Sequence, residues 1–150
     1  MTVAALDDRA PACILTPLML RIAVQTGSRI EAVNVTREVQ AAVRKAGIAN
    51  GLVHLHCPHT TATLVVNEAA DPDVAHDILA VYEKLVPRRG DYRHAEGNSQ
   101  AHVLSSLAGC GLTLPVEDAK IVLGTWQGIF FVELDGPRRR EVWLTCIPST

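Results

Sequence analysis

The chain has 150 residues, with 14 basic and 16 acidic side chains and a formal net charge of −2. That length fits one domain with a sizeable core, and the near-neutral balance gives no electrostatic case for nucleic acid or an anionic membrane as the main partner. No apolar run reaches the roughly 18 residues that a membrane span needs. The four cysteines, none spaced C-x-x-C, read as reduced thiols of a cytoplasmic protein, each a small buried hydrophobe; Cys57, placed between histidines, is the open case.

Residues 1–18, interrupted by Pro11 and Pro17, read as an irregular extension without a secretory signal, and 19–150 as a single domain. Alternation then begins: Leu20, Ile22 and Val24 share one face of a strand. Gly27-Ser28 turns the chain into a short strand, "RIEAVNV". Thr36 is placed to cap a helix that carries Val39, Ala42, Val43 and Ala46 on one face and stops at Gly47. Two strands follow in "GLVHLHCPHTTATLVVNE", divided by Pro58, which has no amide hydrogen to give a sheet. "DPDVAHDILAVYEKLVP" is a helix capped by Asp71 with Pro72 in its first position, and Val74, Ile78, Val81, Tyr82 and Leu85 form its expected buried stripe. A polar loop, "RRGDYRHAEG", leads into a shorter helix capped by Asn98 or Ser99, with Val103, Leu104 and Leu107 apolar and Gly109 as its stop. The remainder reads as strands, "GLTLPV", "KIVLGTW", "QGIFFVEL" and "REVWLTCI", with a tight turn at Asp135-Gly136-Pro137 that reads as a basic hairpin exit into Arg138-Arg139-Arg140. This order predicts an α+β fold, mostly antiparallel, with helices packed beside the sheet.

Several polar groups stand out against that pattern. His54 and His56 lie on one strand face; two imidazoles there can seed a metal site, but a half-exposed strand face explains them as well. "HAEGNSQAH" packs His94, Glu96, Asn98 and His102 around a glycine at a loop-to-helix junction, a density that favours a site. His102 falls in the first turns of its helix, where the dipole favours the neutral ring. Glu68 continues an apolar strand face, either as the strand exits into water or as a partly buried acid or base. Asp73 and Asp77 repel each other at i and i+4, a cost that a divalent ion or an arginine would remove. Arg138 and Arg140 share one face and could hold phosphate, or they could form a solvated basic edge that deters strand addition. A flat strand would hold His59 and Asn67 roughly 27 Å apart, so either the chain bends between them or neighbouring subunits share the site.

Taken together, "PHTTATLVVNE", "DPDVAHDIL", "DYRHAEGNSQAH", "SSLAG" and "LPVEDAKIVLGTWQGIFFVELDGPRRR" resemble the YjbQ-like family from about Leu20 to Ile147. The resemblance implies two packed sheets, a homotrimer, and a weak thiamine-phosphate synthase activity joining a pyrimidine diphosphate to a thiazole phosphate. It carries over His59 with Thr60, Asn67 with Glu68, Asp71, Asp77, the group His94 to His102, Trp126, Gln127 and Arg138, and it leaves His54, His56 and Cys57 outside the motif. On this basis Glu68, His59, Asn67 and Asp77 are expected in catalysis, and Arg138, Asn98 and Gln127 on phosphate. His59, His94 and His102 are expected on a divalent metal, zinc or magnesium. A non-catalytic binding protein for a phosphorylated metabolite or a metal, and a metal-dependent hydrolase, are the alternatives.

Overall fold

Of the strands consecutive among the described residues, only the fifth and sixth pair with each other. Residues 19–149 are described in the computed structural model; the expected extension over 1–18, with Cys13, lies outside them. The elements run β1 (Met19–Gln25), β2 (Glu31–Asn34), α1 (Thr36–Ala46), β3 (Gly51–His56), β4 (Ala62–Glu68), α2 (Pro72–Leu85), α3 (Ser99–Ala108), β5 (Gly111–Glu117), β6 (Lys120–Ile121), β7 (Gln127–Glu133) and β8 (Arg139–Pro148). A five-stranded sheet has the order β1-β8-β3-β5-β6 and a three-stranded sheet the order β2-β7-β4, antiparallel throughout.

The main core lies between the sheets. Val53, Leu55, Val142 and Leu144 from one meet Leu64, Ile129 and Phe131 from the other, and α1 closes the side with Val39 and Val43. A second core on the far face of the three-stranded sheet packs Phe130, Val132 and Leu134 against Val86, Ala101 and Leu104. That sheet is covered on both faces, so β7 is buried at six successive positions, Gly128 to Glu133, rather than alternating.

Four local expectations are corrected. Thr36 is the first helical residue rather than a cap; its Oγ1 donates to Asn34 Oδ1 at 2.7 Å and accepts from the Ile129 backbone N–H at 2.8 Å, tying α1 to β7. "KIVLGTW" yields only the two residues of β6, since β5 offers that edge pairing partners at Val116 and Glu117 alone. The buried stripe of α2 is rotated: Ala75 and Leu79 join the expected Tyr82 on the second core, while Val81 and Leu85 are exposed. The turn at Asp135-Gly136-Pro137 does not make a hairpin; it carries the chain from one sheet to the other. Asp71 does cap α2, accepting from the Asp73 N–H at 2.9 Å, and Gly47 ends α1 in the left-handed region.

Candidate functional site

Three sheet-to-sheet crossings, β1 to β2, β3 to β4 and β7 to β8, meet at one end of the molecule, and a buried ion pair holds them together. Arg140 Nε donates to Glu133 Oε2 at 2.7 Å, with a second bond from Nη2 to Oε1. Glu133 is fully buried and Arg140 is 8% exposed. Thr26, from the first crossing, donates to Glu133 Oε2 at 3.1 Å, and Thr61, from the second, accepts from Arg140 Nη2 at 2.9 Å. Burial alone would raise the Glu133 pKa, but the bonds from Arg140 and from the Asp135 N–H outweigh it and hold the carboxyl below its usual range.

His59 lies beside this pair. The Glu141 backbone N–H donates to its Nε2 at 2.9 Å, so the ring proton is on Nδ1. Burial, then the Arg140 charge, lowers the His59 pKa and favours the neutral ring. His59 opens into a cleft of about 660 Å³ lined also by His56, Cys57, His102, Ser105, Cys110 and Trp143. His56 packs against Trp143 with the rings tilted and their centroids 5.7 Å apart, and Arg21 covers Trp143 at 5.3 Å. His56 and Cys57, set aside by the sequence motif, therefore share the cleft with His59. Cys110 is exposed rather than buried, while Cys57 and Cys146 are buried, where loss of hydration pushes both thiols up in pKa.

The loop-to-helix junction behaves as a unit. His94 and His102 meet edge to face at 5.3 Å, and Glu96 approaches His94 at 3.7 Å. Asn98 and Arg138 are brought together, but on a carboxylate of the protein itself. Asn98 Nδ2 donates to Asp135 Oδ2 at 3.1 Å, and Arg138 Nη2 reaches the same oxygen at 2.8 Å. Burial would raise the Asp135 pKa, yet these bonds hold it down. Asn98 thus offers no side-chain cap to α3.

The other candidates lie elsewhere. Glu68 pairs with Gln127 at the opposite end of β4 and β7 from Glu133, a separation of roughly 20 Å for six residues of strand. Asn67 Oδ1 accepts from the Glu68 N–H and Gln127 Oε1 from the Gly124 N–H, each bracing its own backbone. Asp77 is exposed on α2. Glu68, Asn67, Gln127 and Asp77 therefore do not join His59, Asn98 and Arg138 within one chain. Nor do His59, His94 and His102 form a metal-ligand set: among the described residues no three His, Cys, Asp or Glu groups are arranged to hold a metal ion, and His59 Nε2 is already engaged.

Sequence reasoning missed Glu133 and Arg140 as a buried pair. A signal was present: Glu133 is in phase with Ile129 and Phe131, and Arg140 in phase with Val142, Leu144 and Cys146. Charges that continue apolar faces point inward together, and they are tolerated there only as partners.

Comparison with known proteins agrees with this architecture. A UPF0047 protein of Methanocaldococcus jannaschii is 42% identical over 134 residues, spanning 89% of this chain and 97% of that protein. The UPF0047 protein YugU of Bacillus subtilis is 41% identical over 128 residues, spanning 85% and 97%. The crystal structure of a YjbQ/UPF0047-family protein from Clostridium acetobutylicum superposes with a TM-score of 0.83 at 44% identity, covering 85% of this chain and 99% of that one. A protein of unknown function from Sulfolobus solfataricus gives 0.85 at 33% identity, covering 89% and 99%. The family model described as UPF0047 protein YjbQ-like matches residues 20–149, and with the α+β arrangement of two antiparallel sheets shared with these structures, the chain belongs to the YjbQ-like UPF0047 family.

Proposed function

We propose that this chain is a transferase of thiamine-phosphate synthase type, acting on a phosphorylated pyrimidine and a phosphorylated thiazole at sites shared between the copies of a homotrimer. The observation that carries this reading is the separation of the candidate residues into two groups at opposite ends of β4 and β7. A symmetric ring supports the reading because each interface can set one end of a protomer against the other end of its neighbour. The Glu68 end and the His59 end then face one ligand.

In the reaction, the thiazole nitrogen forms a bond to the exocyclic pyrimidine carbon as that carbon's bond to oxygen breaks, and the diphosphate leaves with the electron pair. Such a step needs stabilisation of the departing charge more than a strong nucleophile. Arginine and amide donors near the start of α3 supply it, Glu68 accepts from the pyrimidine amine, and neutral His59 holds its Nδ1 proton toward the ligand. The three histidines of one protomer do not fit a divalent metal, so no step is assigned to zinc or magnesium.

The test is formation of thiamine phosphate from the two substrates by purified protein. Glu68→Gln is expected to abolish turnover, at least a hundredfold in rate, while sparing binding. Binding without product in the unsubstituted protein would favour a non-catalytic binding protein. Diphosphate release in the absence of the thiazole would favour a hydrolase. Either result ends the transferase reading.

A further inference from the structure

The groups expected to hold phosphate, Asn98 and Arg138, are both committed to the Asp135 carboxylate. An anion arriving there would have to displace a carboxylate that already has two good donors. On the other side of the α3 start lies a cavity of about 370 Å³ lined by Arg88, Arg89, Gly90, Tyr92, His94, Gly97 and Ser99. We infer that this cavity is an anion subsite for the phosphate or diphosphate group of a substrate, with Arg88 and Arg89 as its cations and Ser99 as its hydroxyl donor.

Three independent features support this. First, among the described residues neither Arg88 nor Arg89 meets a carboxylate within ion-pair distance, whereas Arg138 and Arg140 both do. Second, Ser99 is 9% exposed, yet its Oγ has no hydrogen-bond partner. A buried hydroxyl left unpaired costs free energy, and a phosphate oxygen is the acceptor that would satisfy it. Among the described residues the other unpaired buried side-chain atom, Asn98 Oδ1, is itself an acceptor and offers nothing to an anion. Third, α3 begins uncapped because the Asn98 side chain is turned to Asp135. Its first backbone N–H groups therefore add their dipole to the same place.

The loop is built to hold its arginines. Tyr92 donates from its hydroxyl to the Pro87 carbonyl at 2.7 Å and from its N–H to the Gly90 carbonyl at 2.9 Å. Its ring lies against Gly90, where an added Cβ would come within 3.2 Å. Guanidiniums presented from such a closed turn lose less freedom on binding a phosphate than arginines on an open loop. The net charge of −2 argues against a nucleic-acid backbone as the source of that phosphate. The substrate class follows from the transferase reading, on which this inference rests for that alone.

Isothermal titration of the full chain with sodium diphosphate, and separately with inorganic phosphate, tests it without requiring turnover. Saturable binding of diphosphate is expected. The double variant Arg88→Ala/Arg89→Ala is expected to weaken it by roughly tenfold or more, and Ser99→Ala by a smaller factor. Arg138→Ala and the exposed helix variant Arg37→Ala are expected to leave it unchanged. Both loop arginines are exposed, so their loss does not threaten the fold even if Ser99→Ala does. No saturable binding, an equal loss in Arg37→Ala, or a loss in Arg138→Ala with the loop variant unaffected would each overturn the subsite. Diphosphate binding that depends on the loop arginines, in a protein that makes no thiamine phosphate, would refute the transferase and leave the subsite standing.

Discussion

A single carboxylate, Glu133, shows how a residue's meaning depends on its partner. Buried alone it would be neutral or would unfold the site, since the interior disfavours an isolated charge. With Arg140, Thr26 and the Leu134 and Asp135 N–H groups around it, both carboxylate oxygens are satisfied. The pair also places a positive charge beside His59, which helps to keep that imidazole neutral. Removing one partner leaves the other charged and buried. Arg140→Met is therefore expected to cost about 3–5 kcal/mol of folding free energy, read from urea denaturation. Adding Glu133→Leu to Arg140→Met is expected to recover much of that loss. A single variant of unchanged stability would show that the pair does not hold the crossings.

At the level of elements, the contact of β7 with α1 depends on the absence of a side chain. Gly128 is buried, and a Cβ there would come 2.6 Å from the Ala69 Cβ and 3.2 Å from Thr36 Oγ1. That hydroxyl is the acceptor for the Ile129 N–H and the link that starts α1. Gly128→Ala is expected to destabilise the chain by about 1–3 kcal/mol through overpacking, measured by the same denaturation. Nearby Gly124, where an added Cβ would come no closer than 3.3 Å to the exposed Gln127 side chain, serves as a milder comparison. The other junction, between α2 and α3, is polar: Arg29 bridges Glu83 and Gln100, and Gln100 Nε2 donates to the Val86 carbonyl at 2.6 Å. These bonds fix the chain on both sides of the arginine loop, from Val86 to Gln100.

For the molecule as a whole, the consequence to be measured is a shared site. The homotrimer proposed above predicts a mass three times that of the chain in sedimentation equilibrium. It also predicts complementation. Glu68→Gln and His59→Gln subunits, each inactive alone, should regain activity when mixed and reassembled, at about one site in three of a mixed ring. Mixtures that stay inactive although mixed rings form would place both residues in the service of separate sites.

Helix existence and helix ends were readable in the chain itself, because capping and periodicity are local. Asp71 before Pro72, Gly47 after Ala46 and Gly109 after Ala108 act through bonds spanning a few residues, and all three stand where expected. So were most strands, and with them the α+β class. The stripe of α2 was misjudged in part because its register depends on which neighbour it meets, and the second core takes Ala75 and Leu79 beside the expected Tyr82, leaving Val81 and Leu85 exposed. Sheet membership was equally out of reach: alternation says that a strand has two faces, but not that β3 and β4 leave for different sheets. The candidate site divides along the same line. The density of His94, Asn98 and His102 was visible as a local cluster. That Asp135 would claim Asn98 and Arg138, that Glu133 would bury itself against Arg140, and that Glu68 would lie far from His59 came from contacts between segments distant along the chain. Local bonds repeat with the chain's own period and can be counted from it, whereas long-range partners are chosen by the packing of the whole.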